Sequence, residues 1–477
     1  MTKRIFISTA IPYVNSSPHL GFALEIVEAD VLARYYRSQG KEVFFLTGSD
    51  ENSLKNVKSA KEKGISVKKL VDQNAKKFFS LKEVLNLSFD DFIRTTETRH
   101  ILGARKLWKL CQKDIYKKKY RGLYCLGCEE FYKKKELKNG LCPEHQVPPE
   151  IIEEENYFFS LSKYQAKLKK IIGKDKIKII PESRQNEVLN FIEKGLEDIC
   201  ISRDAKRAEG WGIDVPGDKS QKIWVWFDAL SNYINALGFA KNSKKFKDFW
   251  EKGEKIHIVG KGILRFHAIY WPAILLSAKL PLPNKILVHG YVTFEGKKIS
   301  KSLGNAIEPD EVVKKYGTDA TRYFLLRETS PFEDLDFSFQ KFEKRYRDDL
   351  VFGLGNLVLR VIGLSLKQKR KIFLKKIQDK VFREKLKDAQ QKLKVLIESF
   401  ELNKALLLIW ELISFCDRYI EEKKLWRETF KKERQISELV LATKEIAKLL
   451  EPFLPETSNK ILRQIETKKK DPIFPKI

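Results

Sequence analysis

The sequence predicts an α/β protein: a Rossmann-type, doubly wound parallel sheet split by a metal-knuckle insertion and followed by an all-α helical bundle. Three observations predict it. A β-branched and aromatic run at 4–10 passes through Pro12 and Asn15-Ser16-Ser17 into apolar helical spacing over 21–39, then a second strand at 43–46. That succession opens a doubly wound sheet. Strand-like runs resume at 223–227, 256–259 and 285–288, with a helical pattern over 266–277 between the last two. From about Phe342 only helical periodicity remains: Leu386, Ala389, Leu393, Leu396 and Phe400 share a face, and 405–419 and 439–450 follow suit.

These elements set the expected organisation. Residues 1–115 form the first half of the sheet domain, 116–222 a Lys- and Tyr-rich connective insertion, 223–341 the second half, and 342–477 the helical domain. Pro452 and Pro455 are expected to interrupt the last helical turn.

Composition narrows the function classes. Apolar residues at 43% and charged residues at 33% describe a globular chain. The longest apolar run, Ala268 to Ala278, is broken by Pro272 and falls short of the roughly 18 residues of a membrane span. The expectation is a cytoplasmic protein with no membrane partner. Lysine and arginine (92) exceed aspartate and glutamate (64) by 28, which favours a polyanionic partner, although solvated lysines give the same count. Six cysteines are too few for a disulfide scaffold of this length.

Three of those cysteines lie near a histidine. Cys125 and Cys128, then thirteen residues, then Cys142 and His145 make two close pairs of soft ligands. A Cys3His set closes a tetrahedron around one structural Zn2+. Cys111, Cys200 and Cys416 read as packing residues.

Two further segments carry nucleotide chemistry. His19 and Gly21 sit where the first strand gives way to the first helix, whose free N–H groups and dipole attract phosphate. An ordinary helix start capped by His19 fits the same residues. Far downstream, after a strand ending His289-Gly290, come Lys298, Ile299, Ser300, Lys301 and Ser302, flanked by Gly296 and Gly304. Two lysines and two hydroxyls in a glycine-flanked loop suit a triphosphate whose charge moves during reaction, with lysine acting on the leaving pyrophosphate. The catalytic set is then His19, Lys298 and Lys301, and the ATP set His19, Gly21, His289, Gly290, Lys298, Ser300, Lys301 and Ser302.

Together with Ile11-Pro12-Tyr13, Leu46-Thr47-Gly48-Ser49-Asp50-Glu51, Trp226-Phe227-Asp228-Ala229-Leu230 and Gly260-Lys261-Gly262-Ile263-Leu264-Arg265-Phe266-His267, these motifs resemble the methionyl-tRNA synthetases, a class I aminoacyl-tRNA synthetase family. The resemblance covers nearly the whole length. It implies a methionine pocket of Ile11, Tyr13, Asp50, Trp226, Ala229, Tyr233, Ile263 and His267; on periodicity alone Trp226, Ile263 and Tyr233 read equally as core. Arg203 is similar to a family position near the active site. It also implies that the zinc knuckle stands over the tRNA acceptor end and that Asn356, Arg360 and Trp426 read the anticodon, Trp426 otherwise reading as a core or hinge residue.

The activity implied is methionine–tRNA ligation. ATP, as its Mg2+ salt, is attacked by the methionine carboxylate, and the methionyl group passes from the adenylate to the terminal ribose of initiator and elongator methionine tRNA. Because the chain stops just past the helices, without the module some relatives append, a monomer is expected. Phe22 stands where the family has a second histidine, Gly262 where aspartate is usual, Asn52 where histidine follows Asp-Glu, and Ile299 where the loop has methionine. Phe22 and Gly262 motivate the alternative of a weakened or non-catalytic tRNA-binding relative. A class I synthetase for another amino acid is a further alternative.

Overall fold

The computed structural model describes residues 3–294, 296–299, 306–330, 333–368, 376–427 and 429–476, with backbone only at 135, 297, 298 and 430. The chain divides into two compact units. The first comprises residues 1–18, 36–82 and 88–289; the second comprises 19–35, 83–87 and 290–477.

The first unit is built on a six-stranded parallel sheet. Strands β1 (Arg4–Thr9), β2 (Glu42–Ser49) and β3 (Asp91–Arg94) pair with the strands Glu254–Gly260, Lys285–His289 and Lys178–Ile180. β1 lies at the centre, between β2 and Glu254–Gly260. β1 is buried along Ile5–Thr9, as expected of a strand covered on both faces. Gly48 of β2 is required by close approach: a Cβ there would meet the Ile93 carbonyl at 2.1 Å.

Two sequence expectations change in this unit. The run 223–227 is not a strand: the strand Asp218–Ile223 ends there, and Val225–Leu230 is a helix. A short continuous apolar run fits either state. The other change concerns 116–222. From within it the edge strand Lys178–Ile180 returns to the main sheet, beside Lys285–Leu287. The rest of that stretch holds a four-stranded antiparallel sheet led by the long pair Ile115–Cys125 and Glu150–Phe159.

The second unit contains most of helix α1 (Leu20–Ser38), a three-stranded sheet and the C-terminal helices. Lys297–Lys298 pairs with Val292–Phe294, which also pairs with Leu335–Phe337. Helices Lys380–Glu398, Leu402–Glu422 and Glu433–Leu450 follow. Pro455 does not end the fold; it is the first residue of one more helix, Pro455–Thr467, where its missing N–H costs nothing. The stretch Phe339–Leu366, overlooked in the composition, is long and apolar enough to cross a membrane by length and composition, yet half of its apolar window is buried inside the protein. Burial of that kind is the habit of a core helix.

One buried ion pair ties this unit together. Arg322, fully buried, donates to Asp30 of α1 at 2.8 Å and to the carbonyls of Leu85, Pro452 and Phe453. Each guanidinium edge is satisfied, so the buried charge is tolerated.

Candidate functional site

The predicted methionine-pocket residues all fall in the first unit. Tyr13 follows β1 and Asp50 follows β2, and the two backbones meet: Asp50 N–H donates to Pro12 at 2.8 Å and Val14 N–H to Asp50 at 3.3 Å. Trp226, on the helix Val225–Leu230, meets the Tyr13 ring edge-on at 6.3 Å between centroids. Its other neighbour is Phe266, stacked at 3.7 Å and 3°. Tyr13, Trp226 and Ile263 pack against the core cluster that contains Tyr233 and Phe266.

Hydrogen bonds fix the polar members. Tyr233 Oη lies 2.7 Å from His267 Nε2, and His267 Nδ1 lies 2.9 Å from the Ile263 carbonyl. A carbonyl only accepts, so Nδ1 carries the proton and Tyr233 donates to Nε2. Burial pushes the His267 pKa down to about 4, so the ring stays neutral near pH 7. Asp50 is 2% exposed. Burial, reinforced by the charge of Asp228, raises its carboxyl well above the ordinary range. Asp228 in turn accepts from Asn52 Nδ2 at 2.7 Å and faces His100 Nε2 at 2.5 Å. Tyr13 Oη is buried and finds no hydrogen-bond partner among the described residues. An orphaned hydroxyl beside a destabilised carboxylate is a costly pair to keep empty-handed.

Sequence reasoning missed Phe266, Asp228 and His100. Phe266 adjoins His267 and Asp228 adjoins Ala229 in blocks already quoted, so proximity was the available signal. His100 had none, since it meets Asp228 across 128 positions. Arg203 is 3% exposed, with its guanidinium 4.9 Å from the Tyr124 ring centroid. It is an interior residue.

The metal-ligand set assembles as its spacing implied. The ligand atoms of Cys125, Cys128, Cys142 and His145 lie within 4.8 Å of one another. Cys128 Sγ is 3.5 Å from Cys142 Sγ and 3.3 Å from His145 Nδ1. These separations suit four bonds to one ion of zinc's size. Gly127 is obligatory, because a Cβ there would sit 2.5 Å from the His145 ring. Hydrogen bonding between the two thiols lowers Cys125 and raises Cys128, so they share a proton that a bound metal would displace.

The phosphate residues divide between the units. In the second, His19 Nδ1 accepts the Gly21 N–H at 3.1 Å, which leaves the ring proton on Nε2. His19 therefore caps the helix through Nδ1. Leu20 N–H donates to the Ile307 carbonyl at 3.1 Å. Ser300, Lys301 and Ser302, and the Lys298 side chain, lie outside the described residues. Gly290 admits no side chain, since a Cβ would meet the Glu333 carbonyl at 2.2 Å. Phe22 is 8% exposed.

Of the three helical-region residues, two are exposed and Arg360 is half-buried. Asn356 is exposed, and Trp426 is 43% exposed. Arg360 is already engaged, by Asp417 at 3.0 Å and by Glu421. Those contacts hold it against the helix whose following turn carries Trp426.

A parallel nucleotide-type sheet with the His19 and Lys298 motifs, an inserted Cys3His knuckle and a trailing helical bundle is the architecture of a class I tRNA synthetase. Residues 5–148 and 135–362 match the family described as tRNA synthetases class I (M), and 379–475 match the anticodon-binding domain of tRNA ligases. The methionine–tRNA ligase of Fusobacterium nucleatum is 38% identical over 98% of this chain and 75% of its own length. That of Rickettsia felis is 39% identical over 99% of this chain and 94% of its own. The structure of Mycobacterium tuberculosis methionyl-tRNA synthetase in complex with methionyl-adenylate superposes with a TM-score of 0.92 at 32% identity, covering 100% of both chains. The chain belongs to the methionyl-tRNA synthetases.

Proposed function

We propose that this chain activates methionine with ATP to methionyl-adenylate and pyrophosphate, and then transfers the methionyl group to methionine tRNA, using the residues named above. The observation that carries the methionine site is the pairing of the orphaned Tyr13 hydroxyl with the buried, raised carboxyl of Asp50. Asp50 takes the ammonium, which restores its charged form, and Tyr13 donates to the head group. Trp226 with Ala229, Ile11 and Ile263 gives an apolar wall suited to a thioether. The neutral His267, held by Tyr233, presents no charge to the side chain.

ATP enters as its Mg2+ salt. Phosphate binding is assigned to His19, Gly21, His289, Gly290, Lys298, Ser300, Lys301 and Ser302. Lys301, aided by Lys298, stabilises the charge on departing pyrophosphate. Positioning and electrostatics supply the rate, with no covalent enzyme intermediate. One Zn2+ held by Cys125, Cys128, Cys142 and His145 fixes the knuckle fold and leaves no position open for chemistry. Asn356, Arg360 and Trp426 meet the anticodon: Trp426 offers a stacking face, and Asn356 and Arg360 meet base edges. Initiator and elongator methionine tRNAs are both substrates. The enzyme works as a cytoplasmic monomer, organised as the four regions 1–115, 116–222, 223–341 and 342–477.

Amino-acid-dependent pyrophosphate–ATP exchange tests this reading. Methionine should support exchange far better than leucine, isoleucine, valine or cysteine, and homocysteine should be the strongest competitor, because one methylene is worth only about 1–3 kcal/mol. Binding of tRNA without exchange would instead favour the non-catalytic relative, and exchange driven by another amino acid would reassign the pocket.

A further inference from the structure

The residue after the second knuckle cysteine has no role in the chemistry above, yet it is 1% exposed and charged. Glu129 lies in the left-handed region at φ 57°, a conformation that a residue with a Cβ avoids unless its surroundings hold it there. Its surroundings do hold it. Glu129 Oε1 accepts the Leu54 N–H at 2.6 Å and the Ser53 hydroxyl at 3.0 Å, while Oε2 accepts the Tyr124 hydroxyl at 2.6 Å. Its carbonyl accepts from Trp224 Nε1 at 2.6 Å and from Arg203 at 3.3 Å. One residue earlier, the Cys128 carbonyl accepts from Trp226 Nε1 at 3.0 Å.

These contacts lead from the knuckle to both sides of the methionine site. Ser53 and Leu54 are the N-cap and first residue of helix α2 (Leu54–Glu62). From the first turn of that helix Asn56 Nδ2 donates to the Asp50 carbonyl at 3.2 Å. A carboxylate at a helix N-terminus satisfies an otherwise unpaired N–H and favours the dipole. On the opposite side, Trp226 is held directly by the ligand residue's own carbonyl.

We propose that Glu129 is a positioning residue for methionine binding. It carries the geometry set by metal closure of the knuckle through α2 to Asp50, while the adjoining Cys128 carbonyl sets the indole of Trp226. The inference rests on the methionine site proposed above. It accounts for a strained, buried glutamate beside a metal ligand, which the knuckle fold by itself does not require.

The test uses Glu129→Ala, Glu129→Gln and Leu54→Pro in the full chain. Leu54→Pro removes only the amide half of the clamp: proline suits the first helical position, and Ser53 at φ −74°, ψ 144° already has the conformation that precedes proline. Zinc is counted by elemental analysis, methionine binding by equilibrium dialysis, KM for methionine and for ATP by exchange, and order in the first turn of α2 by amide hydrogen exchange. Glu129→Ala and Leu54→Pro should each weaken methionine binding by about tenfold, leave KM for ATP within about twofold, keep the zinc count of the parent, and speed exchange in that turn. Glu129→Gln, which keeps an accepting oxygen, should recover most of the affinity. Unchanged methionine affinity in Leu54→Pro with zinc retained overturns the proposal, whatever Glu129→Ala does to folding or metal content. A parent enzyme that binds no methionine removes the underlying site instead, so the two failures are distinct.

Discussion

The proposed methionine site and the proposed anticodon-reading surface hold their side chains in opposite ways. The Tyr13 hydroxyl and the Asp50 carboxyl are buried and held in energetically poor states: the hydroxyl has no hydrogen-bond partner among the described residues, and burial raises the carboxyl. Asn356 and Trp426 are exposed, and the half-buried Arg360 is already paired with Asp417 and Glu421. The first arrangement stores unfavourable desolvation that a small ligand relieves. The second stores nothing, and a large ligand must displace existing contacts or add to them. Affinity for methionine should therefore depend steeply on single atoms, whereas tRNA recognition should be spread over several modest contributions.

That contrast can be broken or sharpened by substitution. Lys301→Ala should have the largest effect, about 3–4 kcal/mol on activation or roughly several hundredfold in exchange rate, with tRNA affinity preserved; comparable exchange would remove Lys301 from the chemistry. Asp50→Asn should come next, raising KM for methionine by about a hundredfold as an ammonium loses its charged partner. Trp426→Ala should cost about 2 kcal/mol of preference for methionine tRNA over other tRNAs without changing KM for methionine, and an unaltered preference would take Trp426 out of base reading. Tyr13→Phe should cost about 1 kcal/mol in methionine binding, because the lost hydroxyl bond is partly offset by no longer burying an orphan in the free enzyme. A larger loss for Trp426→Ala in methionine binding than for Tyr13→Phe would dissolve the distinction between the two regions.

The pH dependence gives the smallest and most diagnostic effect. Asp50 has a raised pKa in the folded protein, so falling pH protonates it and KM for methionine should rise toward acid. Its contribution to stability has the opposite sign, since a group that holds its proton more tightly when folded favours folding as pH falls. Acid loss of methionine affinity without any acid loss of stability would identify Asp50. His267, held near 4, should not titrate in the neutral range. The Asp50→Asn enzyme should lose the acid limb.

The sequence exposed different parts of this molecule unequally, for physical reasons. Cys125, Cys128, Cys142 and His145 were legible because metal ligation imposes spacing within a short stretch. The pocket was legible only through resemblance: Tyr13 and His267 stand at distant chain positions, and nothing local distinguishes a Trp226 that lines a site from one that fills a core. The run 223–227 reads as a strand because a continuous apolar run carries no period, whereas Val225–Leu230 is a helix. The edge strand Lys178–Ile180 spans three residues, too few to show alternation. Glu129 could not be seen at all, as its partners Ser53 and Leu54 lie 76 and 75 positions away. The pairing of Arg360 with Asp417 is likewise a tertiary fact.

The most direct test of the central claim is methionine-dependent pyrophosphate–ATP exchange in the parent and in Asp50→Asn, with methionine and ATP each varied to saturation. The account predicts robust exchange in the parent and, in the variant, a rise of about a hundredfold in KM for methionine with KM for ATP nearly unchanged. Equal KM values for methionine in the two proteins would contradict it.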